Sequence, residues 1–264
     1  MRRSLPAIGA LLWREVVRFL RERNRVAGAL LQPIMFWALF GAGLGPSFRP
    51  PVPGGAVPYQ EYFFPGVVVM ILLFTAIFST VSVIEDRREG FLQSVLVAPI
   101  PRSAVVLGKV LGGTALAMGQ GLVLLCLAPF AHIPLSPSML AVSCAVLVPL
   151  AFALTALSFC IAWRMESTQG FHAIMTVFLM PLWLLSGAPF PALGVPVWLL
   201  AIITANPVTY GLAAFRRALY PAGAPAVAAL PSFGVSMAVT VLFGAVSFGA
   251  ALALARRTGG RAAA

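Results

Sequence analysis

The sequence predicts an all-α polytopic membrane protein. Six transmembrane helices are expected, with an N-terminal amphipathic interfacial helix and a re-entrant hairpin between helices 5 and 6. Three observations carry this. Of 264 residues, 60% are hydrophobic and 9% charged, against about 25% charged in a soluble domain. Apolar runs recur along the whole chain rather than forming one anchor. The 18 basic residues gather at the ends of those runs. A mean hydropathy of +0.97 excludes a disordered chain, and three scattered cysteines exclude a disulfide scaffold.

A crossing needs about 20 apolar residues at 1.5 Å rise each. Residues 26–44, 63–84, 110–131, 138–163, 171–186 and 232–255 qualify or nearly do. The domain reading is therefore a cytoplasmic amphipathic helix over 1–25, a transmembrane domain over 26–256 and a short basic tail over 257–264. The first long run lacks an A-x-A-like exit, so no cleavable signal is expected. After the fifth run come Gly187-Ala188-Pro189-Phe190-Pro191 and a second apolar stretch, 193–205, too short to cross comfortably. A re-entrant or interfacial hairpin fits it, because broken backbone at membrane depth survives only inside protein or facing water.

With six crossings, fifteen of the 18 basic residues share the side of both termini, leaving Arg49, Arg216 and Arg217 opposite. By the positive-inside rule both termini are cytoplasmic. The net charge of +11 contains no long basic tract, so nucleic acid is not an expected partner. Residues 4–25 carry Ile8, Leu11, Leu12, Val16, Phe19 and Leu20 on one helical face and Arg14, Arg18, Arg21 and Arg25 as a basic stripe. Such a helix is expected to lie along the inner headgroup surface or simply to set orientation.

Five charged residues, Glu85 to Glu89, close the second span, and Gly90 permits a turn. Phe91, Leu92, Val95 and Leu96 then recur at helical spacing until Pro99 and Pro101 stop the helix. A short half-apolar helix in a charged loop reads as a docking element or as a loop packed on its own bundle. Leu96→Asp, or deletion of 91–96, is expected to uncouple transport while insertion persists. The chain carries no phosphate loop, since Gly108-Lys109 is followed by Val110. It has no H-E-x-x-H, and no span has an acid in its middle. No catalytic residue, metal ligand or cofactor is expected within it.

From Glu85 to Lys109 the sequence resembles the membrane subunit of type-2 ABC exporters. The matching elements are the acid closing span two, Glu89 with Leu92 and Leu96, the Ala98-Pro99 stop, and Arg102 followed by Lys109. Asn206-Pro207-Val208-Thr209-Tyr210 followed by Arg216 resembles the signature after the outer hairpin in drug-export members. The resemblance covers about residues 7–256. It implies a half-transporter in the bacterial cytoplasmic membrane that pairs with a second permease copy or a close relative. Power would come from a separate ABC ATPase binding ATP and Mg. Glu85, Glu89, Gly90, Phe91, Leu92, Val95, Leu96, Pro99 and Arg102 would form or brace the ATPase contact. Arg14, Arg18 and Arg21 would anchor the N-terminal helix, and Lys109 the base of span three, at lipid headgroups.

Asn206, Pro207 and Tyr210 read as an outer gate or as a cap and turn. Arg216 and Arg217 are expected at lipid headgroups, or on an anionic cargo, and Trp183 and Trp198 in the interfacial belt. Gly41-x-Gly43-x-Gly45 and Gly108-x-x-x-Gly112 suggest close span packing. The alternatives are a secondary transporter or channel and a passive scaffold. A membrane-embedded enzyme lacks any reactive cluster.

Overall fold

The computed structural model describes residues 4–257 apart from 46, 54 and 222, with the backbone alone for 4, 55, 56, 96 and 257. The tail expected over 257–264 thus lies almost wholly outside the described residues. In chain order the helices are α1 (Ser4–Arg21), α2 (Arg23–Leu44), α3 (Tyr59–Arg88), α4 (Phe91–Val97), α5 (Arg102–Leu125), α6 (Pro137–Ala162), α7 (Thr168–Leu184), α8 (Val197–Ala205), α9 (Pro207–Leu219) and α10 (Phe233–Arg257). A two-residue antiparallel pair, β1 (Pro51–Val52) with β2 (Gly55–Ala56), folds the α2–α3 connection. The chain is an all-α polytopic membrane protein.

Helices α2, α3, α5, α6 and α10 are each long and apolar enough to cross a bilayer. The expected fifth span is α7, whose 17 residues reach about 25 Å, the short end of the spanning range. Helices α8 and α9 meet at a 77° bend. Both ends of α9 stay near the far end of α7: Asn206 donates to Leu182 O, and Arg216 to Gly187 O. Meanwhile Gly211 abuts Leu150, midway along α6. That path fits a re-entrant hairpin whose second arm, α9, rests on the middle of α6 at Gly211 while its bend stays near the far end of α7.

Helix α3 is the axis. Between its polar ends it is apolar on every side and almost wholly buried, as expected for a helical stretch without a polar face. Helices α2, α5, α6 and α7 surround it. It extends past the expected stop at Ile84 to Arg88 because its charged last turn finds partners. Gly90, at φ 76°, then reverses the chain, a left-handed conformation glycine adopts without strain. Ala98 is extended before Pro99, which ends α4. Helix α5 begins at Arg102, eight residues before the expected span, since Pro101 starts the new helix with a preset φ.

Helix α1 packs most extensively on α5. A Cβ at Gly108 would stand 2.8 Å from Leu11 Cβ, and one at Gly112 2.8 Å from Glu15 Cβ. The Gly108-x-x-x-Gly112 stripe therefore seats α1 rather than another span. Gly41 meets Gln60, whereas Gly43 faces open space. Instead of lying only on headgroups, α1 buries Leu11 and Phe19 in protein and leaves Leu5, Trp13 and Leu20 outward. Gly112→Leu should lower stability by about 1–3 kcal/mol through overpacking, read as a lower unfolding temperature in detergent, while Gly43→Leu changes it little.

Candidate functional site

The charged ends of α1, α3 and α5 converge at one end of the bundle around Asp86, which is 0% exposed. Its carboxylate accepts both arms of the Arg14 guanidinium, at 2.6 and 2.9 Å, one arm of Arg18 at 2.6 Å, and Lys109 Nζ at 2.5 Å. Four donors fill about four lone-pair positions. Lys109 also donates to Glu15 Oε1 at 2.8 Å, and Ser82 Oγ donates to Glu15 Oε2 at 2.5 Å. Three ionic side chains from three helices are thus buried with their bonds satisfied, the condition under which buried charge is tolerated.

Around this centre lies a more open shell. Arg18 reaches Glu85 at 2.9 Å and Glu89 at 3.3 Å, and Arg25 pairs with Glu85. Burial alone would lower the pKa of Arg18, but Asp86, Glu85 and Glu89 outweigh it and hold the pKa above its ordinary value. Arg14 spans the two layers. While bound to Asp86, its guanidinium carbon sits 3.6 Å from the ring centroid of Phe91, a cation–π contact that fixes the start of α4.

Helix α4 is therefore held from inside. Leu92 is buried, and Phe91 and Val95 pack against the same core. These residues, expected as ATPase anchors, face their own bundle; the outward side carries Gln93, Ser94 and Val97, the last 85% exposed. The side chain of Leu96 lies outside the described residues. Pro99 is exposed beyond the helix end.

Arginines tie this end to two further helices. Arg87 donates to Trp163 O and Met165 O, and Arg88 to Glu166 O, just past α6. Arg102 donates to Ala255 O and Arg256 O at the end of α10. Carbonyls at helix C-termini lack internal partners, and basic side chains supply them. The connections that charge counting assigns to one side thus meet at one end.

The structure brings together Glu85, Glu89, Phe91, Arg14, Arg18 and Lys109, with Gly90 as the corner. Arg21 stays exposed, apart from them. Lys109 corrects an expectation: at 4% exposure it meets Glu15 and Asp86 inside the protein, not lipid headgroups. Sequence reasoning missed Glu15, Ser82 and Asp86 as members. The available signal was a lysine deep in an apolar helix, which requires a carboxylate from elsewhere.

At the opposite end, Asn206 is a cap. Its Oδ1 accepts from Val208 N at 3.0 Å, Nδ2 donates to Leu182 O at 2.6 Å, and Pro207 starts α9. Tyr210 donates to Thr204 O across the bend. Arg216 is enclosed in protein rather than at headgroups, whereas Arg217 is half-buried and holds loop carbonyls. Arg217 donates to Val227 O, Leu230 O and Pro231 O, and Arg216 is 3% exposed under Tyr62. Trp183 is likewise buried rather than in a belt, its indole N–H on Gly66 O at 2.8 Å, whereas Trp198 remains exposed.

Comparison with known proteins agrees with this geometry. A family model described as ABC-2 type transporter matches residues 6–220. The ycf38 transport permease of Cyanophora paradoxa is 28% identical over 209 residues, covering 78% of this chain and 71% of its own. The inner membrane transport permease YadH of Escherichia coli (strain K12) is 24% identical over 248 residues, 90% of this chain and 91% of its own. The multidrug ABC transporter permease YbhR of the same strain is 28% identical over 154 residues, 58% of this chain and 42% of its own. A helical bundle with a hairpin bent at Asn206 and a short braced helix after α3, matched along most of its length by that model, belongs to the ABC-2 type transporters and is an ABC transporter membrane subunit.

Proposed function

We propose that this chain is the permease half of an ATP-driven export complex in the bacterial cytoplasmic membrane, with both termini cytoplasmic. It moves an amphiphilic drug, lipid or glycan-type cargo, and a separate ABC ATPase binds ATP and Mg and supplies the power. The observation that carries this reading is α4. It is clamped by Arg14 and Leu92 onto the end of the spanning bundle, with Gln93, Ser94 and Val97 outward. A linker needs no such fixation; an element that receives a push does. Most of the basic residues gather at that end, which supports its cytoplasmic placement.

Pairing with a second permease copy is supported by the lipid-like sides of α2 and α7. Leu31, Met35 and Leu39 on α2, and Val177 and Phe178 on α7, stand exposed. Between these helices a cavity of about 200 Å³ gathers Gln32, His172 and Thr176. Polar side chains on spanning helices line pathways more often than they face lipid, so a route between copies would run here. The drug class is supported by the multidrug permease among the relatives.

Affinity purification of the full chain from its own membranes should bring down an ATPase with a phosphate loop, and vanadate should stop transport. Transport that ignores vanadate and collapses with an ionophore would assign a secondary carrier instead.

A further inference from the structure

A cavity of about 260 Å³ lies at the end of the bundle opposite α4, between the bent hairpin and the loop after α7. Its walls are almost entirely apolar, with Leu200, Ile203, Leu212 and Leu230 among them. The hydroxyls of Ser186 and Thr209 also line it, but each donates its proton to a backbone carbonyl, Trp183 O and Ile203 O. Arg216 is the one charged residue on the lining among the described residues.

Arg216 is under-employed for so buried a cation. Its Nη2 donates to Tyr62 O at 3.3 Å and Gly187 O at 3.1 Å, and its guanidinium carbon lies 4.1 Å from the Tyr62 ring centroid. Its Nε is buried with no acceptor, and no carboxylate pairs with it among the described residues. Arg217, next in sequence, shows what a structural arginine looks like here: less buried, and bonded to three carbonyls. At the other end of the molecule Asp86 and Lys109 show how this chain satisfies buried charge, with an opposite charge at hydrogen-bond distance. A buried guanidinium with spare donors, set in an apolar chamber, fits an anion attached to an apolar body.

We propose that this cavity is a binding site for an anionic amphiphile. Its carboxylate or phosphate head would meet Arg216, and its apolar body would lie along α8 and α9. The volume, about 260 Å³, is just below the range of small-ligand pockets, about 300–1,000 Å³, so a single chain or the upper part of a lipid fits better than a bulky glycan. The site stands apart from the ATPase contact and does not depend on it.

The test is thermal unfolding of the full chain in maltoside, titrated with decanoate, dioctanoyl phosphatidic acid, decanol and sodium acetate. Saturable stabilisation is expected from decanoate or from the phosphatidic acid, the responding arm distinguishing a free carboxylate from a lipid headgroup. Decanol, lacking charge, and acetate, lacking a chain, should act at least roughly tenfold more weakly. Arg216→Gln should weaken the response by a similar factor. Should that variant fail to fold, Leu200→Trp, at a residue 40% exposed, narrows the apolar wall without touching Arg216 and should do the same. Equal protection by decanol, protection by neither anion, or wild-type binding in both folded variants would overturn the site. No ATPase enters the experiment, so its failure leaves the coupling reading intact.

Discussion

Lys109→Met should lower the stability of the protein by about 3–5 kcal/mol, because it removes the cation that two buried carboxylates share. Lys109 Nζ is the cation shared by Glu15 and Asp86, all three at 4% exposure or less. Asp86 keeps Arg14 and Arg18, but Glu15 is left with Ser82 and a 3.3 Å contact to Arg14. In a detergent melt this corresponds to a loss of roughly 10 °C. The informative companion is Lys109→Met with Glu15→Gln. Removing both members of the pair leaves Asp86 clamped by its two arginines, so more than half of the lost stability should return. Additive losses in the double variant would mean that the lysine serves packing rather than charge balance.

Val97→Asp should abolish ATPase co-purification and transport while moving the unfolding temperature by no more than about 1 °C. Surface substitutions away from special features usually change stability by less than about 0.5 kcal/mol, and Val97 is 85% exposed. Leu92→Asp is the contrast: it forces a carboxylate into the core and should lose both stability and transport. If Val97→Asp and Gln93→Glu together leave the ATPase bound and transport normal, the outward face of α4 is not the docking face.

Much of the architecture could be read in advance, and the reasons are physical. Span positions follow from the requirement that lipid-exposed backbone satisfy itself, so apolar length is diagnostic. Gly90 and Pro99 bracket α4 through local conformational rules. The Asn206-Pro207 bend announces itself through a cap and a proline. What escaped was non-local. The stripe Phe91, Leu92 and Val95 looks the same in sequence whether it faces a partner or its own core; only Arg14, brought alongside Phe91 by α1, decides. Arg216 could not be distinguished from a headgroup arginine until the hairpin folded back beneath Tyr62. Helices α2 and α3 are both apolar runs, yet α3 is enclosed and α2 bare, because enclosure depends on neighbours that composition does not name.

The three arginines that bind carbonyls of other elements at the α4 end of the bundle have a mechanical consequence. Arg87 and Arg88 fasten the end of α3 to the corner after α6, and Arg102 fastens the start of α5 to the end of α10. A stroke delivered at α4 would therefore be shared among four membrane columns at once, as through a common baseplate. Compliance must then sit where no such rivet exists, along the bare flank of α2.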